Sequence, residues 1–239
     1  MARGRARVRV HGDMNTAPAI DLPGRVAAVR DRIARAGGDP SAVRLVAVAK
    51  GFDAAVVRAA VDAGLSDIGE SYVQELVAKA AELEGSPQPV RWHFVGRLQR
   101  NKVRKAAPHV WLWHSVDRLA LGAEIARFAP DAAVLVQVNA SGEANKAGCA
   151  PAMAPALVDG LVDLGLDVRG LMTIAPAGPA EAARPVFRTV RDLAQRLGLG
   201  ELSMGMSDDL EVAVQEGATT VRVGRDLFGP RPDPAGARD

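Results

Sequence analysis

The chain has 239 residues, with 30 Lys and Arg against 28 Asp and Glu for a formal charge of +2, so no global field points to nucleic acid. Its single cysteine, Cys149, rules out an internal disulfide and fits a reducing cytoplasm. No apolar stretch reaches membrane-spanning length, and the size suits one large α/β domain or two small ones.

The first nine residues carry four arginines (Arg3, Arg5, Arg7 and Arg9) and no apolar segment of a secretory signal. Residues 1–20 are expected to form a disordered tail, with Met14 an alternative start. A helix is predicted from about Pro23 to Ala36, opened by proline and closed by Gly37-Gly38. Leu45 to Lys50, reading Leu-Val-Ala-Val-Ala-Lys, is an uninterrupted apolar run that stops on an amine. Its β-branched residues and lack of polar alternation fit a strand buried on both faces. Lys50 then falls at the strand's carboxyl end, while Lys79, Lys102, Lys105 and Lys146 lie in polar helical or loop sequence.

Asp53 to Ala63 reads as a helix capped by Asp53 and closed by Gly64. Asp67-Ile68-Gly69 is a short strand, followed by Glu70-Ser71-Tyr72 and a helix from Val73 to Leu83. Arg91 to Val95 is a third strand and Leu98 to Ala106 is helical. Val110 to His114 is strand-like, Arg118 to Phe128 helical, and Ala133 to Val138 another buried strand. Beyond the loop Asn139 to Ala150, Pro151 to Leu164 is a helix and Val168 to Met172 a strand. The helix Ala180 to Leu197 leads to the strand Leu202 to Met204, the helix Asp208 to Glu216 and the last strand, Thr220 to Val223. Strict βα alternation implies a parallel sheet, and the eight strands so counted match a single closed (β/α)8 TIM-type barrel over residues 21–230, with 231–239 a flexible tail. An open doubly wound sheet is the runner-up, but no Gly-x-Gly-x-x-Gly follows any strand.

A barrel gathers the residues just beyond each strand on one rim. Lys50 is there. A strand-end lysine often only snorkels into solvent, and an amine titrating at about 10.4 is inert at neutral pH unless burial or nearby positive charge lowers it. Gly205-Met206-Ser207-Asp208 follows strand seven and Gly224-Arg225 follows strand eight, the loops with which barrels commonly bind phosphate. Each could equally be a cap or a turn, and Asp208 and Asp209 compete for the same helix end. Arg222, inside Val221-Arg222-Val223, points either to the helix layer or to the interior, where it could face a ring nitrogen. Glu70, Ser71, Tyr72, His114, Ser115, Thr173 and Ile174 are weaker rim candidates. His93, within strand three, reads more as a satisfied core histidine than as an acid or base. No metal-ligand spacing is present. Arg97, Arg100, Lys102, Arg104 and Lys105 make one basic segment, usually a solvated face.

With these residues in view, the sequence from about Leu45 to Gly229 closely resembles the pyridoxal-phosphate (PLP) homeostasis family, relatives of the amino-terminal barrel of alanine racemase. The likeness rests on Val-Ala-Lys at 48 to 50, Gly-Glu-Ser-Tyr-Val-Gln-Glu at 69 to 75 and Trp-His-Phe-Val-Gly-Arg-Leu-Gln-Arg-Asn-Lys at 92 to 102. It continues through His-Ser-Val-Asp at 114 to 117, Gly-Leu-Met-Thr-Ile at 170 to 174, Leu-Ser-Met-Gly-Met-Ser-Asp-Asp at 202 to 209 and Val-Arg-Val-Gly at 221 to 224. The resemblance implies that Lys50 holds pyridoxal 5'-phosphate as a Schiff base, that Ser207 and the Gly224-Arg225 amides hold the phosphate, and that Arg222 faces the pyridine nitrogen. Ser71, His93, Met172 and Thr173 join the implied cofactor contacts. Lys146, in the loop after strand five, is a candidate secondary amine for cofactor transit. This chain departs from the family pattern in having Gly51 for threonine, Ser71 for asparagine and Arg225 for a small hydroxyl residue.

The resemblance further implies a monomeric cytoplasmic carrier of PLP and related B6 vitamers, supplying PLP-dependent apo-enzymes, without established turnover and without membrane or nucleic-acid partners. Its enzymatic rival, a racemase, needs a second acid/base on the opposite face of the substrate. The one tyrosine here is Tyr72, beside strand two. A Schiff-base aldolase on the same barrel and a nucleic-acid binder using the basic segment are the remaining alternatives.

Overall fold

A helix between two consecutive strands is long enough to carry the chain back to the starting edge, so each strand here returns parallel to the last through a helical crossover. In the computed structural model, which describes residues 21–143 and 145–231, eight such strands close into a barrel in the order of the sequence. They are β1 (Arg44–Val48), β2 (Asp67–Glu70), β3 (Arg91–Phe94), β4 (Val110–Val116), β5 (Ala133–Gln137), β6 (Asp167–Met172), β7 (Glu201–Ser203) and β8 (Thr220–Val223). Closure pairs β1 with β8, Val46 opposite Arg222 and Ala47 opposite Val223.

The helices are α1 (Leu22–Arg35), α2 (Ala54–Asp62), α3 (Val73–Glu82), α4 (Val103–Ala106), α5 (Leu119–Phe128), α6 (Ala154–Asp163), α7 (Arg184–Arg196), α8 (Leu210–Gln215) and α9 (Arg225–Phe228). The TIM-type barrel expected from the βα alternation is therefore the fold, and none of its described helices is long and apolar enough to cross a membrane. The expected tail at 1–20, with Met14, and the expected tail at 231–239 apart from Arg231 lie outside the described residues.

Two expectations need correction. The helix predicted from Leu98 is a 3-10 turn, Arg100–Lys102, followed by the single-turn α4, because like charges such as Arg100 and Arg104 sit on adjacent turns. The helix predicted from Asp208 begins at Leu210, since the Asp209 carboxylate accepts from the Met206 amide at 2.6 Å and holds 206–209 as a turn. The last strand, after which the alternation left a helix open, runs into α9.

Side chains alternate across the sheet. In β8, Val221 and Val223 face the helices in the main apolar core, while Thr220 and Arg222 are buried but outside it. A second, smaller apolar cluster of Leu112, Ala133, Leu135 and Met172 fills the interior beside β4 to β6. Elsewhere the interior mixes the buried Val46 and Val48 of β1 with the polar side chains of His93, His114, Ser203 and Arg222.

Candidate functional site at the carboxyl end of the barrel

Lys50 lies two residues beyond the end of β1 rather than within it. The Ala49 amide still reaches Gly69 of β2 at 3.0 Å, and a turn closed by Phe52 N–H to the Ala49 carbonyl then carries Lys50 and Gly51 over the rim. Gly51 takes φ +79, a backbone that a β-branched residue would strain. Asp53 accepts from the Val56 amide at 3.1 Å and starts α2.

The peptide groups on either side of Lys50 are gripped from below. Lys79, grouped by sequence with the polar helical lysines, is buried instead. Its Nζ donates to the Ala49 carbonyl at 2.8 Å, to Glu70 Oε1 at 2.5 Å and to Glu75 Oε2 at 3.2 Å. Glu75 Oε2 in turn accepts from the Gly51 amide at 2.7 Å. The helical spacing from Val73 and Leu76 carries the signal for this burial, because Lys79 falls on the same face. Glu70 is fully enclosed and its Oε2 has no partner among the described residues. Burial therefore raises its carboxyl to about 7 against the opposing bond from Lys79.

The Lys50 amine is itself half-buried. Burial first, then the positive charges of Arg231 and Arg222, lower it from the ordinary lysine value, with Glu70 and Glu75 opposing. That meets the condition a chemically useful amine requires.

Arg222 points inward. Its guanidinium donates from Nη1 to Ser203 Oγ at 2.7 Å and from Nη2 to the Thr173 carbonyl at 2.8 Å. Burial lowers it to about 10, with the Asp209 carboxylate opposing, so it remains a cation at neutral pH.

The loops after β7 and β8 meet above it. Gly205 adopts φ +91 and a Cβ there would approach that of Ala213 within 2.5 Å, so the turn needs glycine. The backbone amides of Ser207 and Arg225 donate to no described residue, and the Ser207 hydroxyl has only a long contact of 3.4 Å from the Asp226 amide. The Arg225 guanidinium pairs with Asp208. Arg32 of α1 joins the two loops, donating to the Ser207 carbonyl at 2.8 Å and pairing with Glu211 and Asp226. Nothing in the local sequence of α1 announces that role.

Lys50, Ser71, Ser207, Arg222, Gly224 and Arg225 line one cavity of about 340 Å³, with Phe52, Ile174, Met206 and Arg231 among its walls. Four lining cations face one carboxylate, Asp208, a balance that favours an anion. The cavity of about 490 Å³ at the opposite end of the barrel is polar as well. There Arg91 pairs with Asp67 and Arg44 with Glu201, leaving little unpaired charge.

The rim candidates Glu70, Tyr72, His114 and Ser115 lie outside this lining, as do four of the residues named for cofactor contact or transit. Met172 is enclosed in the interior apolar cluster. Thr173 donates to the Val138 carbonyl and supports Arg222 through its own carbonyl. His93 is a satisfied interior histidine between Asp67 and His114, and Lys146 pairs with Glu143 in the β5–α6 loop at 2.7 Å.

The profile of the alanine racemase N-terminal domain family matches residues 25–232. A protein of Pseudomonas aeruginosa named pyridoxal phosphate homeostasis protein is 47% identical over 213 residues, covering 86% of this chain and 92% of that protein. This chain belongs to the pyridoxal phosphate homeostasis protein family. A Deinococcus radiodurans member of the same name is 42% identical over 214 residues, covering 87% of this chain and all of that protein (100%). The solved PipY protein of Synechococcus elongatus with PLP bound is 39% identical, with TM-score 0.77 over 87% of this chain and 100% of that one. The resemblance drawn from the sequence motifs is thereby established at the level of the family and its barrel.

Proposed function

We propose that the protein holds pyridoxal 5'-phosphate as a Schiff base on Lys50 and acts in cytoplasmic vitamin B6 and amino-acid homeostasis as a monomeric carrier, passing cofactor to PLP-dependent apo-enzymes without turnover of its own. The observation that carries this reading is the position of Lys50 as the one lysine lining a cation-rich cavity of small-ligand size. Its amine is shielded and has positive neighbours, so it is deprotonated more readily than a free lysine. It can then attack an aldehyde carbon, the carbonyl oxygen leaving as water.

The fit of the group is supported by unspent donors. The Ser207 and Arg225 amides and the Ser207 hydroxyl, at loops with Gly205 and Gly224, suit a phosphate. Ser71 lies on the wall near Lys50. Arg222 can only donate, so opposite a pyridine nitrogen it keeps that nitrogen unprotonated. Bound pyridoxal phosphate supplies an aldehyde and an electron-withdrawing ring, and an arginine partner weakens the latter as an electron sink. Met172, Thr173 and His93 support the site from behind, and Lys146 stands apart as the amine proposed for transit.

The carrier reading is favoured over a racemase because Tyr72, the one tyrosine in the chain, is 53% exposed and absent from the cavity lining. The relatives compared above are likewise named as homeostasis proteins rather than enzymes. Purified protein loaded with PLP and given L-alanine is expected to form no appreciable D-alanine; robust racemisation overturns the carrier assignment.

A further inference from the structure

Four buried polar groups join end to end through the barrel interior and finish on Arg222. Asp67 Oδ1 is 2.8 Å from His93 Nε2, and His93 Nδ1 is 2.8 Å from His114 Nε2. His114 Nδ1 is 2.8 Å from Ser203 Oγ, which is 2.7 Å from Arg222 Nη1. His93, His114 and Ser203 have no exposed surface, so water does not compete for these bonds.

With both rings neutral, the hydrogens have one consistent arrangement. A guanidinium only donates, so Ser203 Oγ accepts from Arg222. An ionised carboxylate only accepts, so His93 Nε2 carries its ring hydrogen and Nδ1 is bare. That bare nitrogen accepts from His114 Nε2–H, which leaves His114 Nδ1 bare, and the Ser203 hydroxyl donates to it. Every group is satisfied and no two donors collide.

Neutral rings are what the surroundings favour. Burial lowers His93 against the pull of Asp67, with Arg44 and Arg91 also opposing a charge, and burial with His93, Arg222 and Arg44 takes His114 well below the ordinary value. Protonating His93 would reverse both bonds toward Ser203 and strip the Ser203 O–H of its acceptor. At the far end, burial disfavours ionised Asp67, but bonds from His93 and Arg91 outweigh it and hold the carboxyl below the usual range.

We propose that Asp67, His93, His114 and Ser203 are positioning residues for Arg222, forming a one-directional relay that anchors the guanidinium in the cavity to a carboxylate near the other end of the barrel. Among the described residues the Arg222 side chain donates hydrogen bonds only to neutral oxygens, Ser203 Oγ and the Thr173 carbonyl, while the Asp209 carboxylate acts on its charge through space. Its remaining donors and its charge are left for the cavity it lines. The inference rests on the pyridoxal phosphate reading for what Arg222 meets there; the order of the hydrogens belongs to the protein alone.

The test begins without ligand. Nitrogen NMR of the full chain labelled at histidine is expected to show His93 and His114 as neutral Nε2–H tautomers at about pH 7, with both rings titrating below the ordinary histidine pKa of about 6.5. A cationic ring or an Nδ1–H tautomer at either position at pH 7 overturns the relay. Ser203→Ala, and His93→Phe well away from the cavity, should each raise the Kd for pyridoxal 5'-phosphate by about threefold to tenfold, the effect of one ordinary hydrogen bond. His93→Phe that lowers the melting temperature but leaves that Kd unchanged overturns the positioning role. If the wild-type protein binds no pyridoxal phosphate, the cavity reading falls, and the tautomers alone decide the relay.

Discussion

Two buried polar networks start from the same four-residue strand, β2, and hold two residues of the cavity wall that stand on the neighbouring strands β1 and β8. At its carboxyl end Glu70 joins Lys79 and Glu75, which grip the Ala49 carbonyl and the Gly51 amide. At its amino end Asp67 begins the chain through His93, His114 and Ser203 to Arg222. The first network holds Lys50 only by its backbone neighbours and leaves the amine free to react. The second holds Arg222 by its side chain. On the proposed function, the lysine that forms and releases a bond is thus fixed at its root, and the cation that faces the ligand is fixed at its tip.

The two carboxyls differ in the same way. Glu70 is raised to about 7 because burial exceeds what its bonds return, whereas Asp67 lies below its ordinary range because its bonds exceed burial.

Breaking the first network should have the largest effect. Lys79→Met leaves Glu70 enclosed without a counter-ion, a loss of about 3–5 kcal/mol by denaturant unfolding, much of which Glu70→Gln in the same chain should restore. A loss below about 1 kcal/mol for Lys79→Met would mean that the pair contributes little. Ser203→Ala, which removes a neutral link from the second network, should cost about 1–3 kcal/mol, because it strands His114 Nδ1 and one Arg222 N–H.

Stability against pH separates the two carboxyls. Glu70 keeps a proton in the folded state that the unfolded chain has lost, so it makes stability fall as pH rises between its ordinary 4.5 and about 7. Glu70→Gln should remove that slope, which is at most about 1.4 kcal/mol per pH unit. Asp67 acts with the opposite sign: its contribution is complete above the ordinary aspartate range and is lost as pH falls below it. An unaltered slope in Glu70→Gln contradicts this division. Asp53→Ala, which removes the cap of α2 and belongs to neither network, should cost only about 1 kcal/mol and leave ligand affinity unchanged.

The barrel was legible because each strand is a short apolar run and each crossover has its own turn residues. Lys50, Ser207, Arg222 and Gly224 were legible as rim residues once eight strands were counted, and the family motifs gave them roles. Lys79 was misplaced because a lysine's charge reads as exposed, although its spacing from Val73 and Leu76 puts it on the buried face. The partnership of Asp67 with His93, and of His114 with Ser203, joins residues from four strands. No local pattern encodes that meeting; it follows from the barrel's closure and register. Arg32 likewise acquires its grip on the Ser207 loop only when α1 packs beside α8 and α9.

The central claim is that Lys50 is the amine that holds the cofactor. Borohydride reduction of the protein with pyridoxal 5'-phosphate, followed by peptide mapping, tests it directly. The expected result is a stable adduct on the peptide containing Lys50 and its loss in Lys50→Ala. A principal adduct on Lys146, Lys79 or any other lysine contradicts it.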